Sequence, residues 1–166
     1  MSKEISLGRG KVAVVDDDDF EWLSKWKWYA HASRNTWYAR TTWFPPDADR
    51  RTTVIMHRLI IGASLGQMVD HRDRNGLNNQ RSNLRFATRS QNKANAAKLK
   101  VGASRFKGVR FYGRNPIKPW TARVGFGKQR LHLPYFKTET EAALAYDAAA
   151  RKLFGEYARL NFPDES

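Results

Sequence analysis

The sequence predicts an α+β protein in two parts: a small N-terminal sheet leading into a strand, loop, strand and short helix, then a three-stranded antiparallel sheet packed on one helix. Three observations predict it. The alternating apolar and polar runs are short and bounded by turn-forming clusters, the helical patterns are few and follow strands, and a basic stretch near residue 100 divides the chain.

Taken in order, residues 11–15 (Lys-Val-Ala-Val-Val) read as a strand, and Asp16 to Asp19 cap a short helix through Phe20, Trp22 and Leu23. Acidic groups at a helix start complement its macrodipole. A metal site made of these adjacent aspartates is disfavoured, because neighbouring side chains do not converge on one ion. Trp26 to His31 and Thr36 to Trp43 alternate around Ser33-Arg34-Asn35 and predict a hairpin whose aromatics form the core of a small sheet. Pro45-Pro46-Asp47-Ala48-Asp49 interrupts the pattern, Thr52 to Met56 resumes as strand, and His57 to Ile61 starts a short helix.

The segment Asn92 to Ser104, with Ala94, Ala96, Ala97, Lys98 and Lys100, predicts a helix running out into a basic linker at about 97–104. The expected domains are therefore 1–99 and 104–163. Past the linker, Phe106 to Tyr112, Trp120 to Phe126 and Arg130 to Tyr135 read as three strands, separated by Gly113-Arg114-Asn115-Pro116 and Gly127-Lys128-Gln129. Thr138 with Glu141 forms a capping box for a helix carrying Ala142, Tyr146, Ala149 and Leu153, and Gly155 stops it.

Composition bounds the function. A chain of 166 residues with six Trp, six Tyr and nine Phe can bury a core for one or two small domains. Thirty Lys and Arg against 16 Asp and Glu give +14, and the excess divides equally between residues 1–99 and 100–166. Both parts should attract polyanions, of which nucleic acid is the commonest. Cysteine is absent, which excludes disulfides and thiolate zinc sites and leaves oxygen and imidazole as metal ligands. The opening Met-Ser-Lys-Glu-Ile-Ser has no apolar targeting core, and no apolar run approaches about 18 residues. The expectation is a cytoplasmic protein of a bacterial or phage-infected cell, a monomer or weak dimer, with no membrane partner and no small-molecule cofactor.

The central segment concentrates the chemistry. Hydrolysing a phosphodiester needs a base for water, a cation for the charge on the phosphate and leaving oxygen, and a donor that holds the phosphate. His71 suits the base, since its reference pKa near 6.5 leaves it mostly neutral. Asp70 offers hard oxygen. On a helix capped by Thr88, Arg89 and Asn92 stand three residues apart and share a face. If that helix crosses the two strands, Arg89 grips phosphate while Asn92 and Asp70 hold one Mg²⁺, or a similar hard ion such as Mn²⁺. Arg85 and Lys93 are further candidates for DNA contact.

Asp70-His71, Asn79, Asn83-Leu84-Arg85 and Arg89 to Asn92 resemble the ββα-metal site of HNH endonucleases, of the kind found in phage and intron homing enzymes, where Asn replaces the last His. With Met56-His57-Arg58-Leu59 upstream, the resemblance covers most of residues 11–97. It implies that His71 is the general base, that Asp70 and Asn92 are the metal ligands and that Arg89 lies on the phosphate. The family's central Asn, which pins the loop bearing the base, falls on Asn79 or Asn83, with Asn83 preferred. His57 reads as a histidine satisfying backbone groups at a helix start, with a catalytic part as the alternative.

In the C-terminal part, strand alternation puts Val109, Phe111, Ala122, Val124, Leu131 and Leu133 on one face and Arg110, Arg123, Arg130 and His132 on the other. A sheet with such a basic stripe can enter the major groove of double-stranded DNA. Phe106 to Arg110, Trp120 to Val124, Thr138 to Ala150 and Ala158 to Phe162 resemble the Apetala2 or ethylene-response-factor DNA-binding domain. The resemblance implies that the arginines contact bases or phosphates. Arg123 stands where plant members usually have Glu and His132 where they usually have Trp, so no plant-like target sequence is implied.

The combined expectation is a metal-dependent DNA endonuclease whose second module holds it on the duplex. The alternative is a DNA-binding regulator that keeps the HNH scaffold and cuts nothing. An RNA-binding role is disfavoured, because the sheet carries arginines rather than a platform of exposed aromatics.

Overall fold

The structure, a computed structural model, describes residues 1–33, 36–43, 51–98 and 102–163. Residues 34 and 35 of the expected turn, the Pro45 to Asp49 break and residues 99–101 of the expected linker lie outside them. The chain divides into two compact units, Met1–Ala87 and Thr88–Ser166. The architecture is α+β, as the sequence predicts, with small antiparallel sheets in both units.

The first unit opens with a hairpin of β1 (Ser2–Ser6) and β2 (Val12–Asp16), of which the sequence reading found only the second strand. Helix α1 (Asp17–Leu23) follows, and its first-turn aspartates suit the macrodipole. Asp16 stands at the N-cap without making a cap bond. Its carboxylate instead accepts from the backbone N–H of Arg81 at 2.7 Å and from Gln80 Nε2 at 3.3 Å. Asp19 is buried and receives Arg81 Nε and Nη2, both at 2.7 Å. The acidic run therefore clamps a distant loop rather than a metal.

Strands β3 (Tyr29–Ala32), β4 (Trp37–Trp43) and β5 (Thr52–Ile55) form an antiparallel sheet in that order. Helix α2 (Met56–Ile60) begins directly after β5, one residue before the expected start. A ribbon of β6 (Met68–His71) and β7 (Leu84–Ala87) closes the unit. Ile5, Leu7, Ala13, Val15, Leu23, Trp28, Ala39, Met56, Ile60 and Leu84 bury one core under all of these elements.

The second unit starts with α3 (Arg89–Asn95), then β8 (Val109–Phe111), β9 (Trp120–Phe126), β10 (Gln129–Phe136) and α4 (Glu139–Phe154). The capping box expected at Thr138 with Glu141 is present, and Thr88, expected as a cap, makes a box with Gln91 as well. Helix α3 ends at Asn95, just ahead of the expected linker, and Ala96 is extended. The cause is a set of donors that capture its last carbonyls. Lys107 Nζ donates to the Ala94 and Ala96 oxygens, and the Arg159 N–H donates to Ala94 as well. Ala94 also joins the core formed by Val109, Ala122, Val124 and the α4 residues Ala142, Ala143, Tyr146, Ala150 and Phe154. The boundary expected near residue 100 thus falls inside this unit.

Alanines on α4 allow the helix to lie close to the sheet. A Cβ on Gly108, which has φ of +79°, would collide with the Tyr146 ring. Phe111 and Leu131, expected under the helix, remain about half exposed at 52% and 45% because they lie toward the sheet's ends. Buried Asp147 fastens the chain end, accepting from the Asn161 and Phe162 N–H groups at 2.8–2.9 Å, while Asn161 Oδ1 accepts from the Lys107 N–H at 2.7 Å. Among the described residues no helix is long and apolar enough to cross a membrane.

Candidate active site

The ribbon sets the site. Antiparallel pairing places Asp70 opposite Arg85 and His71 opposite Leu84, so the Asp-His pair ends one strand just where the chain leaves for the loop 72–83. That loop is tied down by backbone bonds to β2, from the Val14 N–H to Leu77 O at 2.8 Å and from the Asn79 N–H to Val14 O at 2.7 Å. Asn83 fastens it from within. Its amide donates to Asp73 Oδ1 at 2.9 Å and to Asn78 O at 2.8 Å, and its oxygen accepts from the Asp73 N–H at 3.0 Å. Gly76 admits no larger residue, since a Cβ there would meet the Trp37 carbonyl and the Tyr38 ring.

His71 is buried, and its Nε2 lies 3.3 Å from Asn79 Oδ1. Asn79 is fully buried, and its Nδ2 donates to Leu77 O at 3.2 Å, which fixes the amide with its oxygen toward the imidazole. An amide oxygen only accepts, so the ring carries its proton on Nε2 and its lone pair on Nδ1. Burial pushes the His71 pKa down, with the Asn79 bond and the carboxylates Asp73 and Asp70 opposing it. A depressed pKa keeps the imidazole neutral, the state a proton acceptor needs.

Two aromatic side chains wall the ring. His57 stands edge-on to His71 with centroids 4.8 Å apart, and Tyr38 lies 5.3 Å from His57 and 5.9 Å from His71. Burial, the neighbouring His71 and the charges of Arg58 and Arg40 push the His57 pKa down to about 3. His57 Nδ1 is sealed from solvent with no hydrogen-bond partner, so it does not satisfy backbone groups through that atom. The sequence points to His57 chiefly as a backbone-satisfying histidine and to Tyr38 only as a core aromatic. Neither residue type carries a spacing signal that could have linked it to His71.

Asp70 is held from across the ribbon. Arg85 donates Nε at 3.0 Å and Nη2 at 2.8 Å to the same oxygen, Oδ2, and both side chains are about 6% exposed. The structure therefore places Arg85, expected at the DNA surface, inside the first unit as the partner of Asp70. Arg89, Asn92 and Lys93 lie on α3 in the second unit, Arg89 and Lys93 exposed and Asn92 half-buried. Among the described residues no three His, Cys, Asp or Glu side chains gather as a metal site. Asp70 is the one hard carboxylate beside His71, the donor type a small divalent ion takes, and Arg85 already occupies its Oδ2.

In the second unit, register puts Arg123 opposite His132, Arg110 opposite Thr121 and Arg130 opposite Gly125, all on the face away from α4. The three guanidiniums are close enough that Arg110 and Arg130, together with burial, push the Arg123 pKa down. None of the three forms an ion pair among the described residues. Arg110, Arg123 and His132 line a concavity of about 790 Å³ with Phe111, Tyr112 and Tyr135. An uncompensated cationic surface of this shape is suited to a phosphate backbone.

A strand-loop-strand hairpin presenting Asp-His, together with an arginine face on a separate sheet, defines a nuclease that binds DNA. Comparison with known proteins agrees. The HNH endonuclease family model matches residues 55–94. An uncharacterised HNH endonuclease of Acanthamoeba polyphaga mimivirus is 36% identical over 162 residues, covering 93% of this chain and 78% of that protein. The chain belongs to the HNH endonuclease family.

Shorter matches tie it to plant proteins. Dehydration-responsive element-binding protein 2E of Arabidopsis thaliana is 46% identical over 69 residues, 37% of this chain and 28% of that protein. APETALA2-like protein 2 of Oryza sativa subsp. indica is 44% identical over 69 residues, 39% of this chain and 15% of that protein. Over that stretch the chain is therefore similar to plant proteins of this kind, of which it covers less than a third of the length. No solved structure matches the chain.

Proposed function

We propose that the chain hydrolyses phosphodiester bonds of double-stranded DNA with His71 as the general base and one divalent ion, Mg²⁺ or Mn²⁺, per active site. The attacking water gives its proton to His71 Nδ1 as its oxygen bonds to phosphorus, and the bond to the leaving oxygen breaks. Asn79 keeps the ring in the accepting tautomer, and Asn83 keeps the loop from shifting. A divalent ion on Asp70, with Asn92 as its second protein ligand, would supply charge stabilisation at the phosphate and leaving oxygen. Arg89 is proposed to hold the phosphate, and Lys93 to contact the backbone beyond it. The domain of residues 104–163 keeps the enzyme on the duplex through Arg110, Arg123, Arg130 and His132, so each module needs only modest affinity. A monomer with one active centre would nick one strand.

The observation that supports this reading best is the His71–Asn79 contact, which with the Asn79 amide bonded to Leu77 O leaves Nδ1 as the accepting nitrogen of the ring. A second reading, a DNA-binding regulator that does not cut, is favoured by the burial of His71 and by the grip of Arg85 on Asp70. Supercoiled plasmid incubated with the protein and Mg²⁺, beside an EDTA lane and a His71→Ala lane, separates them. Cleavage is expected in the first lane alone, and intact plasmid in all three supports the regulator.

A further inference from the structure

We infer that Arg40 binds a backbone phosphate of the DNA beside the His71 pocket, a contact that rests on the reading of that pocket as the place of cleavage. Alternation along β4 puts Tyr38 and Arg40 on one face, and cross-strand pairing sets Arg40 between Tyr29 and Ile55, the residue before α2 begins. Tyr38 in turn touches both histidine rings. The Arg40 charge is felt by Tyr38 and by His57, so the guanidinium lies within electrostatic reach of the pocket wall.

Arg40 is half-buried, and its Nε is sealed from solvent with no hydrogen-bond partner. It forms no ion pair among the described residues. Other arginines of the unit are committed differently. Arg58 donates to the Ala63, Ser64 and Gln67 carbonyls, Arg81 to Asp19, and Arg85 to Asp70. An arginine kept for architecture would have acceptors of that kind.

The surrounding charges leave Arg40 uncompensated. Asp70, the carboxylate whose charge acts on Tyr38, is already paired with Arg85, while His57 and Tyr38 are uncharged near neutral pH. A guanidinium without a carboxylate partner, within electrostatic reach of the His57 and Tyr38 wall and with Nε turned inward, offers its outer Nη groups to the oxygens of a phosphodiester. His57 Nδ1, sealed and unpartnered, marks a second unmet polar atom on the same wall.

The test uses the full chain with Arg40→Gln and Arg40→Lys, reading duplex affinity against salt and plasmid nicking in parallel. Losing one phosphate contact should make the log-log salt slope shallower by about 0.9 in Arg40→Gln, with Arg40→Lys near the parent value. Nicking efficiency should fall at least about tenfold in Arg40→Gln, the loss of one charge-assisted contact. An unchanged slope in Arg40→Gln overturns the proposal, whatever happens to the melting temperature. Should that variant fail to fold, phenylglyoxal labelling of the parent decides: duplex DNA should protect Arg40, and full labelling in its presence overturns the contact. A parent chain that binds DNA and never nicks it contradicts the cleavage reading instead, and the slope remains readable.

Discussion

The two units treat charge in opposite ways. In the first unit, apart from Arg40, key charges are matched: Asp70 with Arg85, both buried, buried Asp19 with the more exposed Arg81, and a loop whose polar groups are tied by Asn83. On the C-terminal sheet Arg110, Arg123 and Arg130 stand together on one face and form no ion pair among the described residues. Matched, buried charge holds atoms still, which chemistry requires. Unmatched, exposed charge attracts a polyanion and gains from counterion release, which binding requires. The difference teaches that fixing geometry and gathering affinity are assigned to separate parts of one short chain.

Replacing Arg110, Arg123 and Arg130 together with alanine should blunt the contrast most. The salt slope of duplex binding is expected to fall by about 2.7, with the melting temperature nearly unchanged because no stabilising pair is removed. An unaltered slope would mean that this face meets water only. Asn83→Ala attacks the other side. Freeing the loop from three hydrogen bonds should cut nicking by about ten- to a hundredfold and leave the slope alone, measured under single turnover.

A pH series sharpens the comparison further. With His57 pushed down to about 3 by burial, the folded chain leaves it neutral where the unfolded chain, with a pKa near 6.5, takes up a proton. Stability contributed by the neutral ring is therefore complete above about pH 6.5 and declines as pH falls toward 3. Denaturant midpoints should drop across that window, and His57→Phe should flatten the decline; an equal decline in the variant would assign it to other groups. The smallest effect belongs to the second unit: Thr138→Ala removes the side-chain half of a capping box and should cost about 1 kcal/mol in chemical denaturation.

Local signals were legible in the sequence. Thr138 with Glu141, the alternation of Trp120 to Phe126 and the parity of Arg110, Arg123 and Arg130 are all encoded within a few residues, and the structure follows them. Asp70, His71 and Asn83 could be found because their spacing along one ribbon is itself local. What stayed hidden is long-range. Nothing near Arg85 indicates that it turns inward to Asp70, fifteen residues away, and nothing near Asp19 points to Arg81. Tyr38, His57 and His71 meet only because the sheet, α2 and the ribbon share one core. The carbonyls at the end of α3 are likewise met by Lys107 and Arg159, donors that lie outside the helix's own sequence.

The most direct measurement compares the parent and His71→Ala on plasmid DNA with Mg²⁺ at matched occupancy, following binding and strand breakage in the same samples. Equal binding with breakage reduced by about 100- to 10,000-fold is the outcome expected of a lost general base. Breakage that continues at the parent rate in His71→Ala would contradict the assignment of this imidazole as the proton acceptor.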